Sequence, residues 1–495
     1  MPLRSIANEL PSENSAALVP SKSWFSGAGL WMALVVLVLV AVNVICAVRD
    51  SEFWLPPKPT SDGPVYENIA YHLSAGHGFW VDWHDPQWRS VYEQSSRSAE
   101  YQTYLDAPQQ SMPMTGRPPL LPLLIAGVYA VVGRDASAFA VVRLMSAVCI
   151  AVACSIAVAN AAQVLWGANW KGRGLGRWSI AGGCAGAMLL AASNRTLISY
   201  AHDFLTEPLA LLLTQMFVTT LLALISRKCF AEQSRENGCE DKPLSSWWML
   251  ALAMALAAMI LARSLFVVWL PGVWLLLVLI VGLIGKRGRW RFATQVLLLT
   301  LLLLAPWWFR NCVVLERFMP LGTQGPTTML GGYCDEALAA GGDWQHLPEQ
   351  RLRERMLADP QFNALPNDVA RELMIADEAK RLVRAWMAEH VAELPGLFVS
   401  RVVTHWNPYT GKSLVWRLLI LVGAIYLLVK RRPEAWVLVG LPVMNTILVA
   451  CMYTTGGRFL VPLYGILFTL SAIGIAVLVE GVVNGIRWFS VSGAR

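Results

Sequence analysis

The sequence predicts an all-α integral membrane protein. We expect a polytopic helix bundle of about ten spans, with juxtamembrane helices on the outer leaflet and a helical extracytoplasmic loop region. Of the 495 residues, 56% are hydrophobic and only 15% are charged, which is more apolar than a soluble protein. Apolar runs long enough to cross a bilayer recur along the chain. Many of the 22 tryptophans, including Trp247-Trp248 and Trp307-Trp308, lie at the ends of these runs, as in membrane aromatic belts.

The candidate spans are apolar segments whose lengths approach the roughly 20 residues that a helix needs to cross the hydrocarbon core. They lie at 30–48, 136–166, 178–193, 204–226, 246–261, 264–285, 292–309, 413–429, 434–452 and 459–484. The first run follows a long, weakly basic segment, so we predict an uncleaved first span and not a signal peptide.

Basic residues predict the orientation of these spans. With Arg4 and Lys22 of the N-terminal tail placed inside, every alternate loop is basic, as the positive-inside rule requires. Because the net charge of +7 is spread over these short clusters, the sequence does not favour nucleic-acid binding. The inside residues are Lys171, Arg173, Arg177, Arg227, Lys228, Arg235, Lys242, Lys286, Arg287, Arg289, Arg291, Lys430, Arg431, Arg432, Arg487 and Arg495.

Two long loops, 49–135 and 310–412, are predicted to lie outside, where loops of this length are usually functional. Pro118–Gly133 is apolar, but counting it as a span would spoil the charge alternation. We therefore predict a helix on the outer leaflet there, and an amphipathic helix at Val369–Ala392. The predicted division is a cytoplasmic tail at 1–29, a transmembrane module at 30–309, the large outer loop at 310–412, and C-terminal spans with a short cytoplasmic tail at 413–495.

Carboxylates from two separate helices are predicted to meet at the outer interface. Asp62 opens a probable helix that continues through Tyr66, and its simplest alternative role is that of a helix cap. Asp203 and Glu207 stand four residues apart at the outer end of the span 204–226. An acid at the edge of hydrocarbon is a functional candidate, and a positioned carboxylate can accept the proton of an attacking hydroxyl. We expect burial near lipid to raise the pKa of such a carboxylate. Asp50 and Glu52 are weaker candidates.

Arginines also occur on the predicted outer side, against the inside bias. Guanidinium is the preferred group for binding phosphate through paired donors, and a lipid phosphate lies at this depth. A snorkelling side chain is the simpler interpretation of Arg195. No metal-ligand cluster is visible, although a divalent metal is not excluded, and a disulfide between Cys312 and Cys334 is left open. The candidate arginines are Arg117, Arg195, Arg263, Arg310 and Arg458.

Several short motifs resemble a known superfamily. The motifs are Asp62–Ala70 with Gly76–Phe79, Arg117–Leu120, Asp203–Pro208, Trp307–Asn311 with Pro320–Thr323, and Gly457–Pro462. In this order they resemble the GT-C glycosyltransferases, with the best match to the branch of bacterial protein O-mannosyltransferases and lipid A aminoarabinose transferases. The resemblance implies inverting transfer from a polyprenyl-phosphate sugar, with Asp62 as catalytic base. Arg117 and Tyr333 depart from that pattern, which has histidine and asparagine there.

The sequence therefore predicts a glycosyltransferase that acts at the outer face of a cell membrane, the inner membrane in a Gram-negative cell. Its expected partners are a polyprenyl-phosphate sugar, membrane lipids and a lipid, glycan or protein acceptor. Asp62 and Glu207 are the catalytic candidates. The substrate-binding candidates are Tyr66, Arg117, Asp203, Arg263, Arg310 and Arg458.

Three alternatives remain open. A transporter or flippase of lipid-linked glycans would favour charged or broken helices at mid-membrane and duplicated halves. A glycan polymerase or ligase shares the outer-face chemistry and differs in its acceptor. A non-catalytic scaffold would not need acids on two helices.

Overall fold

The computed structural model describes residue 38 and residues 51–492, apart from 60, 106–110, 170–174, 237–245, 284–287, 321 and 407–410. Over these residues the protein is helical, and its strands are limited to one antiparallel pair. The predicted all-α fold is therefore confirmed. The predicted first span at 30–48 lies outside the described residues except at position 38, and so does most of the predicted inside loop at 171–177.

The segment that the charge pattern predicts to be the first outer loop, a name kept below, is a small folded layer beside the bundle. Its two strands pair antiparallel, with Trp80 opposite Pro113 and Asp82 opposite Ser111. Asn68 fixes this ribbon to the first helix, because its amide exchanges two hydrogen bonds with the backbone of Asp82, at 2.9 and 3.0 Å. The elements are α1 (Gly63–Ser74), β1 (Trp80–Asp82), α2 (Pro86–Glu93), α3 (Ser98–Leu105), β2 (Ser111–Pro113) and α4 (Leu120–Val132).

Helix α4 corresponds to the surface helix predicted within Pro118–Gly133. At 1.5 Å per residue it is about 20 Å long, which is short of the roughly 30 Å hydrocarbon core. Leu121 and Ile125 are buried against α1, while Leu123 and Val131 are exposed. The helix thus buries one face against the protein and leaves the other available to lipid.

The first half of the bundle follows. Its core contains Phe217 and Trp269, which are almost fully buried. A 3₁₀ turn, Ser264–Trp269, links the helix Ser246–Ala262 to the helix Leu270–Leu283. The elements are α5 (Ala136–Asn169), α6 (Arg177–Ala192), α7 (Arg195–Ala201), α8 (Glu207–Glu236), α9 (Ser246–Ala262), α10 (Leu270–Leu283) and α11 (Arg289–Leu315).

The large loop forms a helical unit with its own hydrophobic cluster, which includes Leu330, Leu352 and Ile375. The amphipathic helix predicted at Val369–Ala392 is confirmed as α16, and Asn367 caps its first turn by accepting a hydrogen bond from Ala370 N at 2.9 Å. The elements are α12 (Gln324–Gly332), α13 (Asp335–Ala339), α14 (Leu347–Leu357), α15 (Pro360–Asn363), α16 (Asp368–Glu389) and α17 (Leu394–Trp406).

The bundle closes with α18 (Gly411–Val429), α19 (Ala435–Leu438), α20 (Gly440–Met452), the 3₁₀ turn Arg458–Leu463 and α21 (Tyr464–Ser492). Helix α21 packs against α5, α6 and α18. Glycines allow a very close approach of α18 and α21. A Cβ at Gly423 would lie 2.1 Å from Leu470 O, and one at Gly474 would lie 2.1 Å from Leu419 O. Such small-residue contacts are typical of helix packing in membranes.

Six helices in the described part of the chain are long and apolar enough to cross a membrane. Each predicted span after 30–48 coincides with one of them or with a shorter apolar helix, so the protein is a multi-pass membrane protein. The six are Ala136–Trp166, Glu207–Ser226, Ser264–Gly282, Arg289–Leu315, Ala435–Met452 and Arg458–Asn484; the shorter helices are Leu120–Val132, Trp178–Ala192, Ser246–Ala262 and Leu414–Val429.

Two boundaries differ from the prediction. The span predicted at 204–226 begins as a helix only at Glu207, with Pro208 in its first turn, where the missing N–H of proline is not needed. The span predicted at 434–452 is interrupted at Val439, three residues before Pro442, because a proline removes the intrahelical bond to that turn. The first difference matters for function, since Asp203 and Glu207 are not on one helix.

Candidate active site

Asp62 lies immediately before α1, but it does not cap that helix with its side chain. The cap interpretation is therefore wrong for the carboxylate. Instead, Oδ1 lies 2.9 Å from Nη2 of Arg117, and Oδ2 accepts a hydrogen bond from Nη2 of Arg458 at 3.0 Å. The start of α1 does not need this carboxylate, because Gly63 N donates to Ser61 Oγ at 3.0 Å and the nitrogen of Pro64 has no hydrogen to satisfy. The carboxylate of Asp62 is thus left free to join two guanidinium groups from distant parts of the chain.

Glu207 is the first residue of α8, and its side chain is fully buried. Its Oε1 accepts hydrogen bonds from Nη1 of Arg263, at 2.8 Å, and from Nε of Arg458. Its Oε2 is buried and has no hydrogen-bond partner among the described residues. Arg458 therefore bridges the two carboxylates, with one nitrogen on Asp62 and another on Glu207.

We call Asp62, Glu207, Arg117, Arg263 and Arg458 the charged array. These five side chains are brought together because each stands at or next to the end of a helix or 3₁₀ turn, at one end of the bundle. Their exposed fractions divide them into two groups. The side chains of Asp62, Arg117 and Arg458 are 27%, 17% and 31% exposed, whereas Glu207 and Arg263 are 0% and 12% exposed. A ligand can reach the first group, and the second group supports it from inside the protein.

The charges around Asp62 contradict the prediction that the pKa of this carboxyl is raised. Burial alone would raise the pKa of this carboxyl, as expected from the sequence, but the guanidinium groups of Arg117 and Arg458 outweigh burial and hold the pKa below its ordinary value. Burial likewise disfavours the charged form of Arg117, yet the carboxylate of Asp62 raises the pKa of that arginine. Both groups are therefore ionised in the unliganded protein. The prediction was wrong because sequence did not show that two arginines contact one carboxylate.

Tyr66 lies beside the charged array, one turn along α1 from Asp62. The centroid of its ring is 5.5 Å from the guanidinium carbon of Arg117, within the range of a cation–π contact. Burial raises the pKa of its phenol, which stays neutral at ordinary pH. Tyr66 thus holds one face of Arg117.

Asp203 and Arg310 are not part of the charged array. Asp203 is buried in the turn before α8, where Oδ1 accepts a hydrogen bond from Phe204 N at 2.8 Å, and burial raises the pKa of its carboxyl. A Cβ at Gly63 would lie 2.7 Å from the same oxygen, so Asp203 packs directly under the start of α1. Arg310 donates to the carbonyls of Met114 and Phe79, at 2.6 and 2.9 Å. Both residues support the loops around the array.

A buried carboxylate that the sequence did not single out holds the first outer loop together. Glu67 is fully buried on α1 and accepts hydrogen bonds from Trp88 Nε1 (2.5 Å), the Tyr92 and Tyr129 hydroxyls (both 2.9 Å) and Arg134 Nε (2.6 Å). These donors come from α2, α4 and the segment after α4. We call this set the Glu67 clamp. It fixes α1, and with it the position of Asp62.

Arg143 also connects two segments near the charged array, and it was not among the residues predicted from the sequence. It is almost fully buried on α5 and donates to the carbonyls of Phe53, Leu55, Pro56 and His202, at 2.7 to 3.3 Å. It thereby joins the segment before α1, which ends at Asp62, to the segment before α8, the helix that begins at Glu207. A sequence signal existed, because a charge inside an apolar run is a functional candidate by default.

Among the described residues, the remaining candidates Glu52 and Arg195 lie apart from the charged array. Glu52 pairs with Lys58 at 2.8 Å and with Arg97, and their hydrogen bonds lower its pKa to about 2. Asp50 is outside the described residues. Arg195 is exposed at the first residue of α7. None of these placements brings a further carboxylate or arginine to Asp62.

Cysteines and metal ligands were also left open by the sequence. Cys312 and Cys334 are both free thiols. Across the described ranges, no group of three or more histidine, cysteine, aspartate or glutamate side chains is arranged to hold a metal ion.

The solved structures to which this chain is similar include two of ArnT from Cupriavidus metallidurans. The crystal structure bound to undecaprenyl phosphate is 14% identical, with a TM-score of 0.36, and the match covers 91% of this chain and 78% of that chain. The crystal structure in the apo state is 14% identical, with a TM-score of 0.33, and covers 92% and 78% of the two chains. No protein family matches the sequence, and neither does any curated protein.

Proposed function

We propose that this chain is an inverting glycosyltransferase that moves a sugar from a polyprenyl-phosphate donor to an acceptor at the outer face of the membrane. One observation carries the proposal. An ionised, partly exposed carboxylate, Asp62, is held between Arg117 and Arg458 at one end of a multi-pass helix bundle. In the proposal, Asp62 is the proton acceptor, and the two arginines beside it bind the phosphate.

The charge balance of the site favours an anionic ligand. Three arginines face two carboxylates in the charged array, which leaves one positive charge in excess. Guanidinium groups bind phosphate through paired, planar donors. The phosphate of a prenyl-anchored donor lies at the membrane interface, where helix ends also lie. Arg117 and Arg458 are the arginines that such a phosphate can reach, since both are partly exposed.

The chemical step follows from this arrangement. The acceptor hydroxyl donates a hydrogen bond to Asp62 and attacks the anomeric carbon of the sugar. The new carbon–oxygen bond forms while the bond from that carbon to the phosphate oxygen breaks. The electron pair leaves on the phosphate, where Arg117 and Arg458 stabilise the growing negative charge. The proton passes to Asp62, acting as general base. Attack opposite the leaving phosphate inverts the anomeric configuration.

Donor binding also changes the basicity of Asp62 in this scheme. In the free protein the two arginines hold the pKa of Asp62 low, which makes it a weak base. A phosphate that takes hydrogen bonds from the same guanidinium groups withdraws them from Asp62. The pKa of Asp62 then rises, because an opposite charge favours the ionised form only while it is near. The base becomes effective when the donor is in place.

Glu207 has a different part in the proposed mechanism. It is fully buried and cannot meet the acceptor from the exposed side. Its Oε1 accepts hydrogen bonds from Arg263 and Arg458 and so orients both guanidinium groups from inside the protein.

The placement of the array at helix ends favours an enzyme over a transporter. A transporter would need its charged groups near mid-membrane, at broken helices. Here Glu207 and Arg458 are the first residues of their spans. An acceptor arriving from water and a donor arriving from lipid can both reach such a position.

The test is sugar transfer from a polyprenyl-phosphate sugar in membrane preparations. We expect wild-type membranes to release polyprenyl phosphate, and Asp62→Asn to lower the rate about 10² to 10⁴-fold, the usual contribution of a general base. Asp377→Asn is the matched control, because Asp377 also pairs with an arginine, Arg317 at 3.0 Å, but at the surface of the large loop. Full activity of Asp62→Asn would remove the assignment.

A further inference from the structure

The start of the large loop is interlocked with the segment that carries Arg117. Gly322 has a φ of +63°, and a Cβ there would lie 2.2 Å from the carbonyl oxygen of Thr115. Only glycine fits this conformation and this contact. Thr115 and Thr323 are both buried at the same junction. The backbone just before Arg117 is therefore held by residues that follow it by about two hundred positions in the chain.

Gln324, the first residue of α12, contacts Arg117 directly. With its amide oxygen toward the guanidinium group, that oxygen accepts a hydrogen bond from Arg117 Nη1 at 3.1 Å, and its nitrogen donates to Gly116 O at 2.8 Å. The opposite orientation would place two donors together and two acceptors together. The hydrogen-bonding groups of Gly116 and Arg117 thus determine the orientation of the amide.

Arg117 is consequently held at two of its nitrogens. Nη1 donates to Gln324, while Nη2 lies 2.9 Å from Oδ1 of Asp62. Tyr66 packs on the guanidinium group at 5.5 Å. A guanidinium group fixed in its plane loses less conformational entropy when it binds a ligand than one that is free to rotate.

We infer that Gln324 is a positioning residue that orients Arg117 for an anionic ligand, the phosphate group of a lipid-linked donor. This inference rests on the proposed function for the identity of the ligand. Gln324 itself does not touch the reacting atoms. It connects the large loop, on which it lies, to the phosphate-binding side of the charged array, so that a correctly docked loop is a condition for donor binding.

Two substitutions separate this role from a purely structural one. Gln324→Met keeps the size and packing of the side chain but removes both hydrogen bonds. Gln324→Glu keeps the acceptor for Arg117 but loses the donor to Gly116 and adds a carboxylate that competes with a phosphate. Gln350→Met is the matched control, because Gln350 is exposed on α14 and its side-chain amide donates to another exposed residue of the same helix, Glu354, at 2.9 Å.

The experiment measures binding of unglycosylated polyprenyl phosphate, the KM and kcat of sugar release, and Tm in detergent. We expect Gln324→Met to weaken phosphate binding and raise the donor KM about tenfold, the effect of losing one hydrogen bond to a charged group. Its kcat and Tm should stay close to those of Gln350→Met. Gln324→Glu should weaken binding further. A fall in Tm with no change in the donor KM, or wild-type binding by Gln324→Met, would overturn the inference.

A lipid-free measurement keeps this inference distinct from the proposed function. Arg117 is labelled with phenylglyoxal and its modification is followed by mass spectrometry. We expect Gln324→Met to speed labelling of Arg117 about tenfold relative to wild type, because one restraint on the guanidinium group is lost. If wild type neither binds the lipid nor releases sugar, the proposed function fails, and the labelling rate still decides whether Gln324 orients Arg117. Equal labelling rates would contradict the inference.

Discussion

Arg458 Nη2 lies 3.0 Å from Oδ2 of Asp62, although the two residues are 396 positions apart in the sequence. The same guanidinium group donates through Nε to the buried Glu207. Arg458 therefore couples the first outer loop to two helices of the bundle, and its 31% exposed side chain remains open to a ligand. In the proposed mechanism, Arg458 thus links the proton acceptor, Asp62, to the buried counter-charge, Glu207, and also binds the phosphate.

Replacing Arg458 by lysine should damage donor binding although the charge is kept. A lysine ammonium is a single point and cannot hold Asp62 and Glu207 through two fixed nitrogens. We expect Arg458→Lys to raise the donor KM about tenfold or more, as for loss of one charge-assisted hydrogen bond. Arg317→Lys is the control, since Arg317 pairs with Asp377 at the surface. Steady-state kinetics with a polyprenyl-phosphate sugar measure both variants, and equal KM values would contradict the prediction.

Glu207→Gln should destabilise the protein itself. The substitution leaves Arg263 and Arg458 without their buried counter-charge, and breaking such a pair costs about 3 to 5 kcal/mol. Denaturation in detergent measures this difference in the free energy of unfolding. Glu336→Gln is the control, because Glu336 pairs with Arg351 at the surface, where the pair contributes less than about 1 kcal/mol. A loss no larger than that of Glu336→Gln would show that Glu207 is not needed as a counter-charge.

The pH dependence of turnover should differ between the free enzyme and the donor complex. The proton-accepting form of Asp62 is the carboxylate, which is lost as pH falls through its pKa. In the free enzyme Arg117 and Arg458 hold that pKa below its ordinary value of 3.8, so kcat/KM should show no acid limb from Asp62 above that pH. In the donor complex the phosphate occupies both arginines, and the acid limb of kcat should lie at higher pH. If the acid limbs of kcat/KM and kcat lay at the same pH, this would contradict the proposal that Asp62 and the donor phosphate share Arg117 and Arg458.

Breaking the Glu67 clamp should lower activity, although none of its residues belongs to the charged array. Glu67→Gln replaces an acceptor that serves four donors, so at least one buried donor among Trp88, Tyr92 and Arg134 loses its partner. We expect faster proteolysis of the first outer loop and a lower kcat, because α1 no longer holds Asp62 in place. Tyr129→Phe removes a single hydrogen bond and should cost only about 1 kcal/mol. Unchanged proteolysis of Glu67→Gln would contradict this role.

Much of the fold follows from local sequence. The apolar runs predict the helices because a span must be about 20 residues long whatever surrounds it. The amphipathic pattern of α16 and the proline-rich start of α4 are equally local signals. The break at Val439 was missed although Pro442 is a local signal for it. The helix start at Glu207 was missed because a boundary also depends on which side chains pack beside it, as Asp203 does beneath Gly63.

The site was predicted in part. Glu207 and the three arginines were candidates because each is a charge at the predicted membrane interface, and Asp62 was one because it opens a predicted helix and lies in a motif that resembles a known superfamily. The structure brings all five together. Their pairing was not predictable, since a one-dimensional pattern does not say which arginine meets which acid. Gln324 carries no signal of its own, because its role depends on a contact with a segment about two hundred residues away. The catalytic roles stay predictions.

The most direct test of the account is the affinity of unglycosylated polyprenyl phosphate for wild type and for Asp62→Asn, measured on the same purified preparations. If Arg117 and Arg458 serve both the carboxylate and the phosphate, removing the charge of Asp62 frees them. The account then predicts that Asp62→Asn binds the lipid more tightly than wild type while sugar release is lost. Weaker binding by Asp62→Asn, or equal binding with sugar release intact, would contradict it.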